Sequence, residues 1–222
     1  MTSHASSNAA ALVDEPAPPR ANAADIARIR DGLGARAIVI IGMMGAGKSS
    51  IGRRLAQALH IEFVDSDDEI EKAANLTIPE IFETYGEAHF RDGERKVIAR
   101  LLSDGPKVIA VGGGAFENPQ TREDVAERGL SIWLKADFET LMARVRRRSH
   151  RPLLRNPDPE GTMMRLLEAR SPNYALADLT VPSRDGVHSD VVQACLRALG
   201  DFLGADPKTD PKANRQADGR PA

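Results

Sequence analysis

Cysteine is almost absent from this 222-residue chain. Cys195 stands alone, so neither an internal disulfide nor a cysteine-cluster metal site is available. A lone cysteine agrees with a reducing compartment, and a cytoplasmic location is expected. No apolar run approaches the ~20 residues that span a bilayer, so no membrane association is expected. The N-terminus lacks the apolar stretch behind a basic one that marks a secretory signal. Neither sign of charge dominates: 30 Lys and Arg against 32 Asp and Glu give a formal charge of −2. That balance argues against a broad electrostatic hold on nucleic acid. Aromatics make up 4% of the chain, and none interleaves with its most basic stretch. No internal repeat is visible, and nothing requires more than a monomer.

What is present suits one domain with tails. Hydrophobic residues make up 41%, enough for one core. Residues 1–34 read as an N-terminal extension. Met1 to about Asn22 is rich in Ala, Ser and Pro and is expected to be disordered. A short helix is allowed over Ala23–Arg30, with Ile26 and Ile29 on one face. An organelle transit peptide is the other reading of such an N-terminus, but Asp14 and Glu15 count against it. Residues 35–204 form the structured domain. Residues 205–222, rich in Asp, Pro, Lys and Arg, read as a second disordered tail.

Inside the domain, short apolar runs alternate with segments of helical period. Strands are expected at Ala37–Ile41, Glu62–Val64, Lys107–Val111, Ser131–Leu134 and Leu179–Val181. Helices are expected at Lys48–Leu59, Asp67–Asn75, Pro79–Tyr85, Glu87–Ser103, Arg122–Arg128, Phe138–Arg147, Gly161–Ser171 and Asp190–Phe202. Thr77 and Glu80 form a capping box, and Gly86 ends that helix. The alternation predicts an α/β protein with a parallel sheet covered by helices on both faces. Ligands on such sheets bind beyond the carboxyl ends of the strands.

The turn Gly42-Met-Met-Gly-Ala-Gly-Lys-Ser49 matches G-x-x-x-x-G-K-[ST] and lies between a β-branched run and an amphipathic segment. Its glycines allow positive φ and close backbone approach, so N–H groups converge on phosphate oxygens at a helix N-terminus. Lys48 would reach the β- and γ-phosphates, and the Ser49 hydroxyl would ligate Mg²⁺. A merely solvated lysine on a loose turn is the plainer alternative, and the flanking strand and helix weigh against it.

Further carboxylates and glycines stand at strand ends. Asp65 and Asp67 are two apart in Phe-Val-Asp-Ser-Asp, so in an extended chain they face the same way. One suits a metal-bound water; the other suits accepting or orienting a hydroxyl proton. Helix capping by Asp67 or Asp68 is the alternative. Gly112, Gly113 and Gly114 follow the third strand and allow backbone contact with a small ligand, or a loose turn. Arg91 and Arg170 each suit a carboxylate, although singly each reads as a surface charge. Among the arginines clustered at 144–155, some close a helix C-terminus, and Arg151 suits a lid that closes on a transferring phosphate.

In order and spacing, "GMMGAGKSSIGRRLA", "FVDSDDEIE", "GEAHFR..E", "GGGAF", "RPLL" and "R.PNY" resemble shikimate kinase. The resemblance covers roughly Arg36 to Leu203. It implies a three-layer αβα P-loop kinase fold with a five-stranded parallel sheet. It also implies transfer of phosphate from ATP, with Mg²⁺, to the 3-hydroxyl of shikimate. By the same resemblance, Gly45, Ala46, Gly47, Lys48, Ser49 and Ser50 bind ATP. Asp67 is the candidate base and holds ring hydroxyls, while Arg91 and Arg170 hold the carboxylate. Gly113, between Gly112 and Gly114, touches substrate through its backbone. Asp65 sits near the metal that Ser49 ligates, and Arg151 closes over ATP. Arg147 is one of several arginines for the adenine contact. Related small-metabolite kinases, such as gluconate kinase, share the turn and the sheet but not this combination.

Overall fold

The computed structural model describes residues 20–147, 157–184 and 188–204. The disorder expected at both ends falls mostly outside these residues. So does Arg151.

Five strands form one parallel sheet: β1 (Ala37–Ile41), β2 (Glu62–Asp65), β3 (Lys107–Ala110), β4 (Gly129–Lys135) and β5 (Leu179–Pro182). Their order is β2-β3-β1-β4-β5. β1 lies at the centre, with Val39 opposite Ile109 on one side and Ser131 on the other. All five of its residues are buried, as a continuous apolar run in a doubly covered parallel sheet must be.

Among the described residues, eight helices surround the sheet: α1 (Ala23–Leu33), α2 (Lys48–Leu59), α3 (Ser66–Ala74), α4 (Ile78–Leu102), α5 (Pro119–Arg128), α6 (Phe138–Arg146), α7 (Pro159–Tyr174) and α8 (His188–Gly204). α2 buries Ile51, Leu55 and Leu59, which share one face at a spacing of four. Its Gly52 has no room for a side chain: a Cβ there would come within 2.6 Å of the Phe63 ring. The helix breaks at Gly86 where expected. Thr77 and Glu80 form the capping box at the start of α4, and Gly86 (φ 80°, ψ 174°) divides α4 into two helical pieces. A short 3₁₀ turn, Ala115–Glu117, follows the triple glycine.

At the N-terminus the structure extends the domain. α1 is ordered by a capping box of Asn22 and Asp25, and it buries Ile29 and Leu33. It packs on α8, where Ala21 N–H donates to the Gln193 side-chain amide oxygen Oε1 at 2.8 Å. The boundary expected at residue 34 therefore lies N-terminal of Ala23. The local sequence showed the apolar face of this helix but not the partner that covers it, some 170 residues away.

The main core spans the sheet and its helices. A second, small cluster of Ile70, Ile81 and Phe90 joins α3 to α4. That pair of helices carries Asp67 and Arg91.

Candidate active site

The carboxyl ends of β1, β2 and β3 open into one cleft of about 720 Å³. Its floor is the turn between β1 and α2. Gly42, Gly45 and Gly47 take φ of 137°, 85° and 96°, which only glycine adopts without strain. Lys48 Nζ donates to the carbonyls of Gly42 (2.9 Å) and Met43 (3.2 Å), so its charge lies along the loop. Gly45, Ala46, Gly47, Ser49, Ser50 and Arg147 also line this cleft.

Asp65 ends β2. Its Oδ2 accepts from the Ser49 hydroxyl at 2.7 Å, and its Oδ1 accepts from the Asp67 N–H at 3.2 Å, capping α3. The cap considered for Asp67 or Asp68 thus falls to Asp65, which leaves the Asp67 carboxylate to the cleft. The two acids meet through the first turn of α3 rather than by strand alternation, because β2 stops at Asp65. Asp67 is mostly buried. Burial first, and then the charge of Asp65, push its carboxyl up to about 6, while Lys48 pulls the other way.

A metal must fit these donors. Among the described residues, no three His, Cys, Asp or Glu side chains assemble into a metal cluster. One hydroxyl and one carboxylate in contact, completed by phosphate oxygens and water, suit Mg²⁺, which keeps several waters and takes few protein ligands.

The three glycines after β3 each face a different side chain. A Cβ on Gly112 would meet Glu94 Oε1 at 2.7 Å and Asp67 Oδ1 at 3.1 Å. On Gly113 it would meet Arg170 Nη1 at 3.2 Å, and on Gly114 Arg91 Nη1 at 2.7 Å. The segment is a close-packed surface, which disposes of the loose-turn reading. It brings Asp67, Arg91 and Arg170 together from α3, α4 and α7.

Glu94, which no sequence argument gave a role, orders Arg91. It is 3% exposed and accepts from Arg91 Nη1 at 2.8 Å. Its other oxygen, Oε1, is buried without a partner among the described residues. Burial raises its pKa, and Arg91 opposes that. The signal was available as a three-residue helical spacing from Arg91, but such pairs are common on surfaces. Arg144 was likewise passed over within the basic stretch. Its Nη1 donates to Ser183 Oγ (2.9 Å) and reaches the Gly45 and Ala46 carbonyls, and its Nη2 donates to the Arg184 carbonyl. It ties the phosphate turn to the end of β5.

Comparison with known proteins identifies this arrangement. The family model described as shikimate kinase matches residues 44–200. The shikimate kinase of Bradyrhizobium diazoefficiens is 56% identical over 188 residues, 85% of this chain and 91% of that protein. That of Rhodopseudomonas palustris is 55% identical, over 82% of this chain and 89% of its own. Among solved structures, the shikimate kinase from Acinetobacter baumannii in complex with shikimate is 40% identical with a TM-score of 0.70, covering 73% of this chain and 92% of that one. A gluconokinase from Sinorhizobium meliloti, 18% identical with a TM-score of 0.53 over 84% of this chain and 98% of its own, shares the fold alone.

Proposed function

The chain belongs to the shikimate kinase family, and on that premise we propose that it transfers the γ-phosphate of ATP to the 3-hydroxyl of shikimate. One observation carries the reading beyond the phosphate turn. A buried carboxylate, Asp67, stands between the loop lysine and a glycine surface on which two arginines converge. A nucleotide needs the turn; only a hydroxylated acid needs the rest.

The Gly45–Ser50 turn cradles the phosphates with backbone N–H groups. On binding, Lys48 exchanges its loop carbonyls for phosphate oxygens. Arg147, on the same cleft, is one of several arginines for the adenine contact, and Arg151, which lies outside the described residues, is the arginine for the transferring phosphate. Ser49 and Asp65 would hold Mg²⁺, which would neutralise charge on the phosphates.

Arg91 and Arg170 take the substrate carboxylate, since a planar guanidinium matches two carboxylate oxygens. Gly113 contributes its backbone beneath the ring. Asp67 accepts or orients the proton of the attacking hydroxyl. Its raised pKa suits it to take that proton near neutral pH. Phosphoryl transfer asks for positioning and charge neutralisation more than covalent help, and these groups supply both.

The test is ADP release dependent on shikimate, with gluconate and nucleoside monophosphates as alternative acceptors. Turnover with shikimate alone is expected. Turnover driven by gluconate or a nucleotide, with none by shikimate, would overturn the assignment. No helix among the described residues is long and apolar enough to cross a membrane, and we take the working form to be a cytoplasmic monomer.

A further inference from the structure

The sequence Arg170-Ser-Pro-Asn-Tyr174 at the end of α7 supplies more than its arginine. Tyr174 is 1% exposed. Its hydroxyl donates to the Gly113 carbonyl and lies 3.7 Å from Met43 Sδ, on the phosphate turn. Burial holds this hydroxyl protonated, at a pKa of about 12, so it is a donor at any working pH. One residue earlier, Asn173 Nδ2 donates to Glu117 Oε2 at 3.1 Å. Gly113 and Glu117 belong to the same segment after β3. The last turn of α7 is therefore fastened twice to the surface that receives substrate.

Arg170 lies four residues before Tyr174, on the same helical face. Its guanidinium lies against Gly113 and within hydrogen-bonding reach of the Tyr174 hydroxyl. Pro172, inside α7, lacks an N–H, so this turn has one internal hydrogen bond fewer and depends more on outside contacts.

We propose that Tyr174 and Asn173 are positioning residues: they latch α7 onto the Gly113–Glu117 segment and so aim the Arg170 guanidinium at the substrate carboxylate. This rests on Arg170 being a carboxylate ligand, as assigned above. Neither residue touches substrate. Both act by limiting where Arg170 can stand, so their loss weakens binding of shikimate in the ground state and transition state alike.

The experiment uses the full chain and measures KM, kcat and shikimate affinity by calorimetric titration. The variants are Tyr174→Phe, Asn173→Leu, Glu117→Gln, Arg170→Ala and the double variant Tyr174→Phe/Arg170→Ala. Tyr174→Phe keeps the ring in the core and removes only the hydroxyl. It is expected to raise KM for shikimate about fivefold, the net worth of one hydrogen bond, with kcat and KM for ATP unchanged. Asn173→Leu should act alike. Glu117→Gln keeps an acceptor for Asn173 and should stay near the parent. In the Arg170→Ala background, Tyr174→Phe should weaken shikimate binding no further, because a residue acting through Arg170 has nothing left to aim. Fully additive losses would overturn the latch. So would unchanged affinity in Tyr174→Phe while Arg170→Ala binds poorly, an outcome that leaves the role of Arg170 intact. If Arg170→Ala itself binds shikimate normally, the carboxylate assignment fails and the latch fails with it.

Discussion

Glu94 occupies the space that a side chain on Gly112 would need, with its Oε1 2.7 Å from the place of the missing Cβ. One oxygen of that buried carboxylate is committed to Arg91. The absence of a side chain at residue 112 is thus what lets an acid from α4 and an acid from α3 approach the end of β3 together.

Gly112→Ala should therefore displace Glu94 and loosen Arg91. KM for shikimate is expected to rise at least about tenfold, as a site misplaced by a fraction of an ångström permits. ATP affinity should hold, since the phosphate turn is untouched. Separate titrations of the two ligands check this, and an unchanged shikimate affinity would refute it.

Gly93→Ala is the counterpart. Gly93 is a neighbour of Glu94 in α4, with open space where its Cβ would go. Alanine there should raise stability by up to about 1 kcal/mol through helix propensity, with activity unchanged. Denaturant melts decide, and a loss of stability would show that the space is needed.

Asp67→Asn separates function from stability. Turnover should fall about 10²–10⁴-fold, the usual share of a general base. The native state raises the Asp67 carboxyl from 3.8 to about 6. The folded protein thus binds this proton more tightly than the unfolded chain does. The favourable contribution is complete below about pH 4 and is lost as pH rises through about 6. In EDTA at pH 8, Asp67→Asn should then melt higher than the parent, by at most about 3 kcal/mol of stability. A variant that melts no higher at pH 8 would mean that the buried charge carries no cost.

Leu33→Ala tests the first helix. Leu33 is 2% exposed, in a helix that packs on α8 and α2. Its truncation should cost about 2–5 kcal/mol, which for a domain of this size lowers Tm by roughly 4–20 °C. A chain cut to residues 36–203 should be less stable still than one cut to residues 20–204. Equal melting temperatures for the two would show α1 to be an ornament.

The sequence was most legible where two signals coincide. β1 and α2 fall at their expected bounds because a β-branched run, a glycine turn and a four-residue apolar spacing meet there. Gly86 was legible because positive φ has few hosts. β4 runs from Gly129 to Lys135, longer than its apolar centre, since backbone pairing with β1 and β5 carries residues that patterning does not mark. The site divides in the same way. Lys48, Ser49, Asp65, Asp67 and the glycines stand in local motifs. Arg144 and Tyr174 acquire meaning from partners far away in sequence, which leave no local trace, and the Glu94–Arg91 pair, though local, has a spacing shared with many surface pairs.

α1 has a further consequence in time. Among the described helices it is the first to leave the ribosome, and α8, which covers it, is the last. Ala21 and Gln193 are 172 residues apart. At ~5–20 residues per second, roughly ten to thirty seconds of synthesis separate them. Throughout that interval α1, with Ile29 and Leu33, lacks the α8 side of its packing and has only its smaller contact with α2. Until α8 emerges, the apolar stripe of α1 is covered on one side only, and the N-terminal helix of the domain is the last to complete its packing.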